Sequence, residues 1–163
     1  MITATHGSGH NYQILASRVC EFEMVMADGT LEKFEKGHKS FENLLVNFGS
    51  VGIITSMTML LVPKFTVMKS IYQDLKWENL FANFDEIMLN CDFLSFFTTW
   101  EEEKMNSVWV GQINEDKPGS SHFFGAEHIA TPNIHPVPGR DSSPCVTTGL
   151  GLWREKIYHF LPD

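Results

Sequence analysis

The chain has 163 residues, 43% of them hydrophobic with thirteen Phe and eight Met, which is enough to bury the core of one ordinary domain or of parts of two, and too apolar for a disordered tail. A formal net charge of −8 and a pI near 5.3 argue against nucleic acid and anionic membrane as partners, since both call for a basic face. The longest apolar run, Val51 to Pro63, is interrupted by Thr55, Ser56 and Thr58 and is too short for a membrane span, and no signal peptide opens the chain.

In chain order, the first feature is a loop, Thr3-Ala4-Thr5-His6-Gly7-Ser8-Gly9-His10-Asn11. Gly7 and Gly9 have no Cβ, so backbone N–H groups can come close to an anion, with the hydroxyls of Thr5 and Ser8 beside them. This is phosphate-cradle chemistry, although the same composition also makes a plain turn and matches neither GxxxxGK[ST] nor GxGxxG. A loop of this kind needs a strand or helix ahead of it, which places further sequence upstream of Met1.

From Arg18 to Ala27, Phe22, Met24 and Met26 alternate with Glu21, Glu23 and Val25, the period of a half-buried strand. Asp28-Gly29 predicts a type I′ hairpin, and Thr30 to Glu35 the return strand. Ser40 is placed to cap a short helix carrying Phe41, Leu44, Leu45 and Phe48 on one face, with Gly49 to end it. A strand from Ile53 to Leu61 follows, and Gly49 and Gly52 bracket its entry, where backbone can approach a ligand or another chain segment.

Pro63 marks a domain boundary, giving domains 1–63 and 64–163. Beyond it Phe65 to Asp74 reads as a strand, and Trp77, Leu80, Phe81, Phe84, Ile87 and Met88 form the buried stripe of a helix over 76–89. Strands Asp92 to Trp100 and Asn106 to Gln112 follow, separated by the acidic turn Glu101-Glu102-Glu103-Lys104. This order suits an α+β fold, an antiparallel sheet with helices on one face. From about Asn114 periodicity disappears among Pro118, Pro132, Pro136, Pro138 and Pro144, which predicts a long irregular segment, with one or two helical turns from Trp153 to Phe160.

Cys20, Cys91 and Cys145 are widely spaced with no CxxC, which suits reduced thiols in an intracellular protein or small buried apolar residues. The seven histidines show no HExxH and no Cys/His metal spacing, so no metal site is expected. The acidic groups Asp85, Glu86 and Glu101–Glu103 read as solvated faces.

The ordered series TATHGSG, LASRVCEFEMVMADGT and FGSVGIITSMTMLLVP resembles the second half of the PCMH-type FAD-binding domain in the vanillyl-alcohol-oxidase family. IYQDLKWENLFANFDEIM, FLSFFTTWEEEKMNSVWVGQ, HPVPGRDSSPC, Trp153 and HFLPD resemble the start of the antiparallel-sheet substrate (cap) domain of its sugar-alcohol and aldonolactone oxidase branch, the alditol (xylitol) oxidases above all. The resemblance implies FAD as cofactor, a small polyol or sugar lactone as substrate, and oxidation of a CH–OH group with oxygen to give hydrogen peroxide. It implies cofactor contacts at Ala4, Thr5, His6, Gly7, Ser8 and Gly9, and at Gly52 and Ile53 along the adenosine-diphosphate portion. The family's flavin-linking histidine, in a GxGHS-type segment, and its acidic, Arg and Lys substrate residues map onto no position of this chain, which predicts N- and C-terminal parts of the same protein beyond both ends and leaves the catalytic residues unassigned. The expected location is cytoplasmic, with membrane association of the kind seen in some aldonolactone oxidases left open. Beside the oxidase stands a second class of function, a truncated and catalytically inactive FAD-domain-like binding or interaction module.

Overall fold

The computed structural model describes residues 2–114, 119–129 and 149–153. The chain forms two compact units, one of Met1–Gly7 and Tyr12–Pro63, the other of Ser8–Asn11 and Lys64–Asp163. Both are sheet-rich with short helices, an α+β composition.

In the first unit, β1 (Val19–Met26) lies between β2 (Leu31–Glu35) and β3 (Gly52–Met59), all antiparallel. The alternation read from the sequence places Phe22 and Met24 in the core, both fully buried, with Phe22 paired to Phe34 on one side and Met57 on the other. The Phe22 and Phe34 rings stack at 5.2 Å, and Phe41 and Leu45 of α1 (Phe41–Leu45) close the same core with Ala16 and Val19.

Two local expectations are corrected here. In the Asp28-Gly29 hairpin only Gly29 has positive φ (82°), and its N–H bonds the Met26 carbonyl. A type I turn followed by one left-handed glycine therefore replaces the type I′ turn, because Asp28 accepts hydrogen bonds from the N–H and hydroxyl of Thr30 and keeps ordinary φ. Ser40 precedes α1 but makes no side-chain cap bond, and the helix ends at Leu45, well before Gly49. The buried Asn47 stops it: its amide donates to the Leu44 carbonyl at 2.7 Å and its Oδ1 accepts the Gly49 N–H at 2.6 Å.

In the second unit the central strand is β4 (Thr66–Gln73), and the two-residue β5 (Leu75–Lys76) leads into α2 (Trp77–Ala82) and α3 (Phe84–Leu89). The sheet continues with β6 (Phe93–Phe97), while β7 (Lys104–Met105) pairs with β5 in a small ribbon. After β8 (Ser107–Ile113), β9 (His122–Phe123), β10 (Ala126–His128) and β11 (Gly149–Leu152) complete it. The sheet order is β6-β8-β4-β10-β9, with β11 also on β4. Tyr72, Leu94, Val108 and Val110 face the helices and pack with Leu80 and Ile87, whereas Ile71 and Trp109 pack on the opposite side.

The single helix expected over 76–89 is two helices broken at Asn83, whose φ of −125° leaves the helical range while its side-chain amide donates to the Asn79 carbonyl at 2.8 Å. Of its predicted stripe Leu80 and Ile87 are buried, but Phe81 and Phe84 are exposed. The stretch from Asn114 is not wholly irregular either: β9, β10 and β11 add strands to the sheet, with Tyr72↔His128 and Lys69↔Gly149 in register. Trp153 stacks on Phe65 at 6.0 Å, and the helical turns expected beyond it, like Cys145 and most of the proline-rich segment, lie outside the described residues. Among the described residues no helix is long and apolar enough to cross a membrane.

Candidate functional site

The two blocks singled out in the sequence, around Gly7 and around Gly52, are joined in the first unit by one backbone bond, from the Phe48 N–H to the Ile2 carbonyl at 3.0 Å. A second bond, Leu15 N–H to the Thr5 carbonyl at 3.0 Å, closes the loop that Thr5 opens. Ala4 is held at φ 56° and Phe48 at φ 54°, so a left-handed, non-glycine residue lies next to each bridge. Such residues are strained and cluster at ligand sites and switches.

The predicted contacts divide as follows. Ala4, Thr5, His6 and Gly7 lie in the first unit with Gly52 and Ile53, and Ser8 and Gly9 group with the second, where the Ser8 carbonyl accepts the Leu94 N–H at 3.3 Å. Thr5, His6, Gly7 and Ser8 are exposed. The His6 ring nitrogen Nδ1 lies 2.9 Å from the Gly7 carbonyl oxygen, a contact that turns the ring onto its own backbone. Nothing stands within 4 Å of where a Gly7 Cβ would be, so the backbone there is open, and its φ is not left-handed.

Gly52 differs. A Cβ on it would stand 2.5 Å from the Val25 carbonyl oxygen and 2.8 Å from Met24 Cγ and Sδ. Its lack of side chain therefore serves the close packing of β3 on β1, one of the two roles open to it in the sequence. Ile53, next to it, is 73% exposed, so this end of β3 presents an apolar side chain to solvent. The Gly7 backbone is thus left open and Ile53 exposed, whereas Gly52 offers a ligand no cradle on the Cβ side.

Sequence reasoning missed Asn47 and set Phe48 on the apolar face of α1, whereas Phe48 lies beyond the end of that helix with φ 54° and is 70% exposed. Asn47 organises the turn into β3, since Ser50 also donates both its N–H (2.9 Å) and its hydroxyl (2.6 Å) to the Asn47 carbonyl. The Asn-Phe-Gly-Ser order carried that signal, because Asn is a strong local turn former. A cleft of about 400 Å³ in the same unit is lined by Gln13, Ile14, Ser17, Lys36 and Glu42 over the Phe41 and Leu45 core, and none of the predicted contacts borders it. Among the described residues no cluster of three or more His, Cys, Asp or Glu is placed to hold a metal ion.

No protein-family model matches the chain. An alditol oxidase from a Streptomyces strain is 31% identical over 160 residues, covering 97% of this chain and 37% of that protein. The L-gulonolactone oxidase of Mus musculus is 26% identical over 124 residues, 75% of this chain and 28% of its own length. The D-arabinono-1,4-lactone oxidase of Debaryomyces hansenii is 29% identical over 94 residues, 56% of this chain and 17% of its own length. The chain thus spans between 17% and 37% of the length of these relatives.

Proposed function

We propose that this chain, a relative of the sugar-alcohol and aldonolactone oxidases, is part of an FAD-dependent oxidoreductase that oxidises the CH–OH group of a sugar alcohol or aldonolactone. The observation that carries the reading is the 31% identity to an alditol oxidase sustained over 160 residues in one ordered alignment. In balance, one alcohol and one molecular oxygen give one carbonyl compound and one hydrogen peroxide: the carbinol group loses two electrons and two protons, and oxygen takes them up. Bound FAD would supply the electron-accepting ring.

This chain's own residues would hold the dinucleotide end. The open backbone at Gly7 and the exposed hydroxyls of Thr5 and Ser8 suit a pyrophosphate, with Ala4, His6 and Gly9 contributing backbone groups, and Gly52 and Ile53 lying along the adenosine portion. On this reading residues 1–63 are the C-terminal part of a PCMH-type FAD-binding domain and 64–163 the N-terminal part of an arabinonolactone-oxidase-like substrate domain, in a cytoplasmic protein. A second reading, a catalytically inactive FAD-domain-like binding module, is favoured by one observation: apart from His6, none of these eight residues carries an acid or base.

Titration of the chain with FAD, followed by flavin fluorescence, tests the binding role. Saturable quenching that weakens about tenfold in Gly7→Val, where a branched side chain blocks the backbone, and is unchanged in His38→Ala supports the assignment. Equal quenching by both variants removes it. Peroxide release from xylitol, sorbitol or an aldonolactone by the product of the whole reading frame separates the oxidase from the inactive module.

A further inference from the structure

The three-stranded sheet of the first unit has two edges, and they differ in length and charge. β2 is five residues long and carries Glu32, Lys33 and Glu35, with Lys33 held by Glu21 at 2.7 Å and by Glu35 at 3.2 Å. Short, charged strands are how natural sheets blunt an edge. β3 is eight residues long, and no ionisable side chain occurs anywhere from Gly52 to Val62. Among the described residues no strand pairs with its outer edge.

β3 is also fixed in an extended form. Ile54, Met57 and Met59 pack on the core, and the Leu60 N–H bonds the Arg18 carbonyl at 2.7 Å, so β1 holds the chain one residue past the strand's end. The β1 pairing skips Thr55, since Glu23 faces Ser56 and Met24 faces Ile54. This bulge bends the first half of β3 and leaves Ser56 to Leu60 as the regular stretch. Thr58 within it is exposed, as are Leu60, Leu61 (85%) and Val62. The two carboxylates of β1 beside it are already engaged, Glu21 by Lys33 and Glu23 by the Ser56 hydroxyl at 2.8 Å. The second unit offers no comparable edge: β6 gives its Leu94 N–H to the Ser8 carbonyl, and β9 and β11 are only two and four residues long.

A row of unpaired backbone N–H and C=O groups takes an extended strand, and the side chains along it choose which strand. A charged strand would lose hydration against Met57, Thr58 and Leu60 with no free counter-charge beside it, so the occupant is neutral. The long neutral strand with an open edge among the described residues is β3 itself. Two antiparallel copies of Ser56 to Val62 set no charge opposite another in any register.

We infer that β3 is a self-docking edge: about a two-fold axis, Ser56 to Val62 of one copy pairs antiparallel with the same stretch of a second copy and joins the two sheets into one. This stands independently of the oxidase reading.

The test is sedimentation of the whole chain over a range of concentrations. Expected is a monomer–dimer equilibrium that strengthens with salt, since the edge is neutral while each copy carries a formal charge of −8. Thr58→Lys and, separately, Leu61→Lys should each weaken it about fivefold by setting like charges across the two-fold axis, although both lower the net charge. Glu32→Lys on β2 should not weaken it. An equimolar mixture of Thr58→Lys and Thr58→Glu chains should recover the dimer, as contact between two β3 edges requires. A monomer at about 100 µM, a dimer indifferent to both lysines, or no recovery in the mixture overturns the proposal. A monomeric product of the whole reading frame overturns it too, since a strand of the same polypeptide would then hold the edge.

Discussion

The Gly52 Cα approaches β1 so closely that an added Cβ would stand 2.5 Å from the Val25 carbonyl oxygen, a distance that backbone on both strands cannot relax without opening the β1–β3 ladder. Gly52→Ala is therefore expected to destabilise the first unit by about 2–3 kcal/mol, at the upper end of overpacking costs because the obstructing atom belongs to the main chain. Gly7→Ala, in open space, should change stability by less than about 0.5 kcal/mol. Urea midpoints of the two variants check this. Equal midpoints would mean that β3 shifts to admit the methyl group.

The pattern of successes along the chain follows from how local each signal is. Phe22 and Met24 alternate with Glu21 and Glu23, and full burial of the first pair against half-burial of the second follows from strand geometry alone. Helix Trp77–Ala82 and helix Phe84–Leu89 share one stripe in the sequence, but at Asn83 the side-chain amide joins the backbone N–H on the Asn79 carbonyl and φ turns to −125°, a local detail that the stripe does not encode. The three late strands were illegible for a different reason. Ala126–His128 and Gly149–Leu152 are only three and four residues long, and they are strands because β4 offers them an edge, which is a tertiary fact. At the candidate site the glycines announced themselves, but which way each one's bare face points could not be read: Gly52 faces β1 and Gly7 faces open space.

Asn47 is buried and makes two side-chain bonds, donating to the Leu44 carbonyl and accepting the Gly49 N–H. Asn47→Ala removes both and should cost about 2 kcal/mol, each bond contributing about 1. Asn47→Asp keeps the acceptor for Gly49 but has no amide for Leu44, so an intermediate loss is expected, read as the order of thermal midpoints wild type, Asp, Ala. The turn feeds directly into Gly52, so if the FAD assignment holds, flavin affinity should fall in the same order.

Phe124 (φ 48°) and Gly125 (φ 89°) form the two-residue turn between β9 and β10, an arrangement for which Asn-Gly is the usual sequence. Phenylalanine is tolerated because the Asn79 amide of α2 donates to its carbonyl at 3.0 Å, and the same amide nitrogen would stand 2.5 Å from a Gly125 Cβ. Asn79→Ala should loosen the hairpin by about 1 kcal/mol, and Phe124→Asn should recover part of that loss by relieving the turn. Amide hydrogen exchange at Ala126 and His128 measures it. Unchanged protection in Asn79→Ala would show that pairing with β4 alone holds the hairpin.

Cys91 and Cys20 should differ sharply in reactivity. Cys91 is buried at the end of α3, its thiol donating to the Ile87 carbonyl at 3.1 Å, and burial first, with the Asp92 carboxylate second, pushes its pKa up to about 11. Cys20 is exposed on β1. The thiolate is the reactive form, so in a Cys145→Ser background a disulfide reagent at pH 8 should titrate one thiol in the native protein and two in guanidinium. The sign of the pH effect on stability follows from the raised value. An unfolded Cys ionises near its ordinary pKa of about 8.5 while the native Cys91 does not. Its contribution is therefore full below that pH and is lost as pH rises toward 11. Tyr72, also raised by burial, adds a loss of the same sign at higher pH, and Cys91→Ala separates the two. Urea midpoints of the wild-type chain should fall between pH 8 and 10.5 more steeply than those of Cys91→Ala; parallel curves, or two native thiols reacting at one rate, would show that the Cys91 site opens to water.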